Sequence, residues 1–173
     1  MIKIIGVIIL IGSSILVGSV LANKIKLRVE ELLYLKKLLV MFRGELEYRN
    51  AMLPDAFLSV ANRAKMPYDS VFNELSKETE KNCTETMASM FERVISKCLK
   101  GNTYLNNDDL HKLYELGDML GYQNKTMQLS NVDLFLERLN VQIQEEREKM
   151  NDTVKVYRTM SAMAGIFVAI ILL

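Results

Sequence analysis

Two stretches without a single charged side chain, one near each end, limit what this chain can become: Ile4 to Ala22 and Thr159 to Leu173. As α-helix, at about 1.5 Å per residue, they would extend about 28 Å and about 22 Å, against a hydrocarbon core of about 30 Å. The first is long enough to cross a bilayer. The second needs its flank: Tyr157 is an interfacial residue type, and Lys155 and Arg158 can lay their stems on apolar surface and lift their charges to the headgroups. The sequence therefore predicts a transmembrane anchor over 1–23, a helical domain over 24–158 and a C-terminal transmembrane helix over 159–173. A signal peptide is the competing reading of the first stretch, since Lys3 gives a positive start and Val20-Leu21-Ala22 offers small residues for cleavage. The run is longer than an ordinary signal core, and Lys24, Lys26 and Arg28 follow it directly, which favours a retained anchor. Those cations, with Lys149, Lys155 and Arg158, outnumber Lys3 outside, so the positive-inside rule puts the central domain in the cytoplasm.

Half the residues are hydrophobic while 25% are charged, as expected when the apolar excess is segregated into membrane segments. Lys plus Arg number 22 and Asp plus Glu 21, so no net field favours nucleic acid, and none is expected as a partner. Cys83 and Cys98 match no metal-ligand or redox spacing and read as reduced packing thiols.

Between the anchors no segment alternates with period two, and the expectation is an all-α bundle of about six helices. Lys24 to about Asn50 reads as one long helix, with Leu32, Leu35, Leu39, Phe42 and Leu46 on one stripe. Pro54-Asp55 opens a second helix carrying Ala56, Phe57, Val60 and Ala61, and Pro67 opens a third through Val71, Phe72 and Leu75. A fourth presents Met87, Met90, Phe91, Val94, Ile95, Cys98 and Leu99 inward and stops at Gly101-Asn102. Asn106-Asn107-Asp108-Asp109 supplies capping and first-turn residue types for a fifth, which runs through Leu110, Leu113, Leu116 and Leu120. Ser130 is expected to cap the last helix, whose seam is Val132, Leu136, Leu139, Ile143 and Met150, interrupted by Glu146 and Thr153.

Little of this points to chemistry. His111 is the sole histidine and has no second histidine or cysteine one turn on, so a surface side chain is the better reading. Asp108-Asp109 serves capping and the helix dipole more readily than paired-acid catalysis. No phosphate-cradling glycine loop and no nucleophile elbow occur. No catalytic residue, cofactor, metal or small-molecule substrate is expected. The methionines read as core packing. Gly117 and Gly121 admit two readings: a small-x-x-x-small helix contact, or for Gly121 a left-handed helix terminator, which is preferred. The outer faces of the two long helices carry Lys36, Arg43 and Glu47 on the first and Glu145, Arg147 and Glu148 on the last, a candidate docking surface.

Glu45-Leu46-x-Tyr48 closing the first long helix, a Leu-Pro-Asp-Ala restart, Leu113-x-x-x-Gly117-x-x-Leu120-Gly121, Gln128, and a terminal span after Tyr157-Arg158 stand together in an order that resembles the stage III sporulation protein AB family over essentially the whole chain. The chain departs from that pattern at Met52-Leu53, with proline displaced to 54, at Asn124 where an acid is usual, and at Ser161 where a glycine is usual. The family is similar to the cytoplasmic helical domain of the type II secretion F protein. The resemblance implies a structural, non-catalytic member of the channel complex between mother cell and forespore, held in the mother-cell membrane, with the lipid bilayer and other channel subunits, including an ATPase, as partners. A type II secretion or type IV pilus platform subunit is the alternative, although such proteins carry a third span and a duplicated helical domain. A membrane-tethered enzyme would need polar groups converging in a pocket.

Overall fold

The computed structural model describes the backbone of residues 2–81, 85–121 and 124–172, and side chains within those limits over 23–150 and at scattered positions beyond. Six helices account for nearly all of it: α1 Ile2–Tyr48, α2 Leu53–Ala61, α3 Tyr68–Glu80, α4 Met87–Leu99, α5 Asn107–Leu120 and α6 Lys125–Leu172. Among the described residues there is no strand. The all-α reading therefore holds, and each expected apolar run lies on a helix. Among the described residues no helix is long and apolar enough to cross a membrane. The stretches 4–22 and 159–173 lie almost wholly outside the described side chains, as does Cys83.

The chain divides into two compact units, one of residues 31–142 and one of residues 1–30 with 143–173. In the first, α2 packs on α3, α3 on α4 and α4 on α5. Phe57 of α2 sits among three rings, stacked on Phe42 of α1 at 4.7 Å between centroids and meeting Phe72 and Phe91 at 6.2 and 6.0 Å. Offset and edge contacts of this kind add to the area each ring buries. The α1 stripe Leu32, Leu35, Leu39, Phe42 and Leu46 is buried, as are Leu110, Leu113, Leu116 and Leu120 of α5. Along α6 the seam in this unit is Val132, Phe135 and Leu139, so Phe135 takes the buried place expected of Leu136, which is half-buried; Ile143, in the other unit, is buried as well. The methionines correct the expectation of a methionine core: Met90 is buried, while Met52, Met66, Met127, Met160 and Met163 are exposed.

Within this unit α1 and α6 run antiparallel, and three side-chain pairs set their register. Lys36 Nζ donates to Asn140 Oδ1 at 2.7 Å, Arg43 holds Asp133 through two nitrogens, and Lys125 Nζ donates to Asn50 Oδ1. In the second unit Arg28 of α1 meets Glu146 of α6 at 2.8 Å, each side chain about four-fifths buried. The charge that interrupts the α6 seam is thus an ion-pair partner.

The helix ends follow capping chemistry, with two corrections. Asn106 and Asp109 form a reciprocal capping box at the start of α5, and Gly101 leaves α4 at φ +86°, the left-handed conformation that glycine accepts without strain. Asn50, at φ 54°, plays the same part after α1. Ser130 is not the α6 cap: the helix begins at Lys125, and the Thr126 amide donates to Asn124 Oδ1 at 2.9 Å. Asparagine therefore caps where an acid is usual in the resembled family, a substitution that preserves the acceptor. Gly121 is not left-handed either, having φ −65° and ψ −6°. The α5 end needs no such turn because α6 side chains reach its carbonyls, Gln128 Nε2 to Leu120 O at 3.2 Å and Asn131 Nδ2 to Met119 O at 2.7 Å.

Candidate functional site

The residues singled out from sequence fall in distinct places. Glu45, on the inner side of α1, is a buried carboxylate, 6% exposed. Burial pushes its pKa up, but the Ser59 hydroxyl, Arg49 and Arg63 more than offset this and hold it below the usual glutamate value. Arg49 approaches at 3.2 Å and Arg63 of the segment after α2 at 3.4 Å. Glu45 therefore ties the end of α1 to the α2 region, a structural task. Tyr48, one turn on, is 84% exposed.

Gly117 resolves the choice left open in the sequence. A Cβ there would lie 2.5 Å from Phe91 Cγ and 2.9 Å from the Met87 carbonyl, so the glycine lets α5 and α4 approach closely. It is a contact inside the chain, with Leu120 buried beside it. Gln128 belongs to the same seam through its bond to the Leu120 carbonyl.

Arg43, partly exposed, pairs with Asp133 across the α1–α6 edge and with Glu47 along α1. Lys36 is held by Asn140. Glu145 and Arg147 are exposed and belong to the other compact unit. Of the interface cations, Lys24 and Lys26 are exposed and Arg28 pairs with Glu146, while the side chains of Lys155, Tyr157 and Arg158 lie outside the described residues.

Two polar bridges between helices had no sequence signal. The Glu31 carboxylate accepts from the Tyr68 hydroxyl at 3.0 Å, the Thr103 hydroxyl at 2.7 Å and the Tyr104 amide at 2.6 Å, joining α1 to α3 and to the loop before α5. Burial first, then the nearby Glu31 charge, hold the Tyr68 hydroxyl far above the ordinary tyrosine value. Asp109, only 3% exposed, serves the capping box and also accepts from Gln142 of α6 at 2.6 Å. Its neighbour Asp108 pairs with Lys112 at 2.8 Å, so the two acids act separately.

An open groove of about 550 Å³ runs along α4 and α5, lined by Glu92, His111, Glu115, Asp118 and smaller side chains. His111 is 73% exposed, with Glu115 3.9 Å away. Among the described residues no three histidine, cysteine or acidic side chains group as a metal site would require. Cys98 is a half-buried free thiol, its pKa raised by burial. These polar groups bridge helices.

Comparisons with known proteins place the chain in one family. The family model for stage III sporulation protein AB matches residues 3–173. A solved structure titled stage III sporulation protein AB is similar at 18% identity and a TM-score of 0.62, covering 72% of this chain and 97% of its own. At that identity the likeness speaks to the fold. A comparison with curated proteins returns no match.

Proposed function

This chain belongs to the stage III sporulation protein AB family, and from that premise we propose that it is a membrane-anchored, non-catalytic component of the channel complex between mother cell and forespore. In this reading its helical domain lies in the mother-cell cytoplasm and docks other channel subunits, including an ATPase. The observation that carries the reading is the family match over nearly the whole chain, both apolar ends included. Its physical support is continuity: α1 and α6 extend without a break from the helical domain into the uncharged stretches 4–22 and 159–173. A helix satisfies its own backbone groups and so can pass from water into lipid. Lys24, Lys26 and Arg28 then stand at the cytoplasmic headgroups.

The test is made in a spore-forming host lacking the native gene. The intact chain should restore spore formation and co-purify from sporulating membranes with the ATPase and other channel subunits. A chain cut to 24–158 should restore neither, having lost its anchors. Rescue by the cut chain would refute the membrane role, and rescue by the intact chain without channel subunits at its side would refute the docking role. A reporter inserted after Gly101 should behave as cytoplasmic, and activity of a reporter that works only outside the cytoplasm would reverse the orientation.

A further inference from the structure

Gly44 is a helix-interior glycine on α1 with nothing among the described residues to require it. A Cβ built there meets no atom within 4 Å, in contrast to the tight fit at Gly117. Glycine is the poorest ordinary residue for a helix interior, because it gives up the most backbone freedom. A glycine on an open helix face leaves room for another backbone to approach closely. The side chains in line with it agree. Val40, one turn before, is 50% exposed, and Tyr48, one turn after, is 84% exposed. Residues four apart share a helix face, so Val40, Gly44 and Tyr48 form an apolar strip with a dip at its centre.

The charge beside the strip selects the occupant. Lys36 bonds only to the neutral Asn140 amide in the described contacts, and Lys37, exposed, meets no carboxylate among the described residues. At the other end Arg43 is shared by Glu47 and Asp133, so that end already has its cation paired and keeps one net negative charge. The strip is thus apolar with an uncompensated positive end. A second copy of this chain fits poorly: two copies anchored in one membrane would present α1 in the same direction, placing Lys36 and Lys37 beside their own counterparts.

We propose that the Val40–Gly44–Tyr48 face of α1 docks an amphipathic helix of another protein, seated over Gly44 with carboxylates opposite Lys36 and Lys37. This rests on the membrane-anchored reading above and goes beyond it by naming a surface and the chemistry of its partner. A helix crossing at a glycine can come closer than the usual 8–10 Å between helix axes. The pair of lysines would then fix its direction.

The experiment places a photo-reactive phenylalanine analogue at Val40, and separately at Tyr48, in the full chain in membranes of the sporulating host. The expected adduct maps by mass to a helical segment of another protein bearing Asp or Glu beside an apolar stripe. Gly44→Leu, whose Cβ enters open space and whose side chain fills the dip, should cut adduct yield about tenfold, as should Lys36→Glu with Lys37→Glu, which sets like charges at the contact. Gly44→Ala should cut it less. An adduct only with a second copy, only with lipid, or one unaffected by Gly44→Leu overturns the proposal, as does no adduct at either position when the chain is present at its normal level.

Discussion

Gly44 and Gly117 are both helix-interior glycines, and they differ in everything around them. At Gly117 a single methyl group would enter the Phe91 side chain, while at Gly44 it would meet nothing within 4 Å. The same residue type marks a contact within the molecule in one place and an open face in the other. Along α1 the change takes one residue: Glu45, next to Gly44, is 6% exposed and held by Ser59, Arg49 and Arg63. A helix turns its neighbouring positions about 100° apart, so one element can lock a fold and present a surface at once.

The largest effect expected on this contrast is at Gly117. Gly117→Val forces branched carbons against Phe91 and the Met87 carbonyl, and the backbone of α4 cannot yield as a flexible side-chain end would. Overpacking of this kind costs about 3 kcal/mol, little offset by better helix propensity. Chemical denaturation of the purified chain should show a large fall in midpoint. An unchanged midpoint would mean that α4 and α5 are not in close contact there.

Glu45 comes next. Its folded pKa lies below the unfolded value, so the charged form stabilises the fold above the unfolded pKa of about 4.3. That contribution is lost as pH falls through the lower folded value. Glu45→Gln keeps the shape but removes the charge, with an expected cost at neutral pH of about 1 kcal/mol and a flatter decline of stability on the acid side. A variant whose acid limb overlays that of the parent would remove Glu45 from the fold's electrostatics.

Gly44→Ala should act in the opposite direction. With open space and helical backbone, alanine fits and reduces the freedom lost on folding, a gain of about 0.5 to 1 kcal/mol. A destabilised Gly44→Ala chain, measured alone, would show that the space is filled and that the two glycines are alike after all.

Much of this organisation was legible in the residue pattern, because burial leaves a period. The apolar stripes of α1 through α5 lie where the three-and-four spacing put them, and the capping box at Asn106 and the left-handed Gly101 carry local signatures. The start of α6 was not legible: Ser130 stands before a periodic run, whereas the true first turn, from Lys125, is largely exposed and shows no period. Nor could pattern alone reveal Glu31 with Tyr68 and Thr103, or Arg43 with Asp133, since those partners meet only through tertiary packing. Glu146 did give a hint. A charge on an otherwise apolar seam asks for a partner, and Arg28 supplies it.

The smallest effect, and the one that separates conformation from space, is at Gly121. Expected from sequence to be left-handed, it instead has φ −65°, which any residue adopts, because Gln128 and Asn131 already serve the end of α5. An added Cβ would lie 3.3 Å from the Asp118 carbonyl and 3.5 Å from Met87 Cβ, tight but with flexible Met87 on one side. Gly121→Ala should therefore change stability by no more than about 0.5 kcal/mol. Gly101→Ala, at φ +86° with open space around it, is the control and should cost about 1 kcal/mol from backbone strain alone. If the two variants lose the same stability, Gly121 is left-handed in solution, and the α6 side chains do not cap α5.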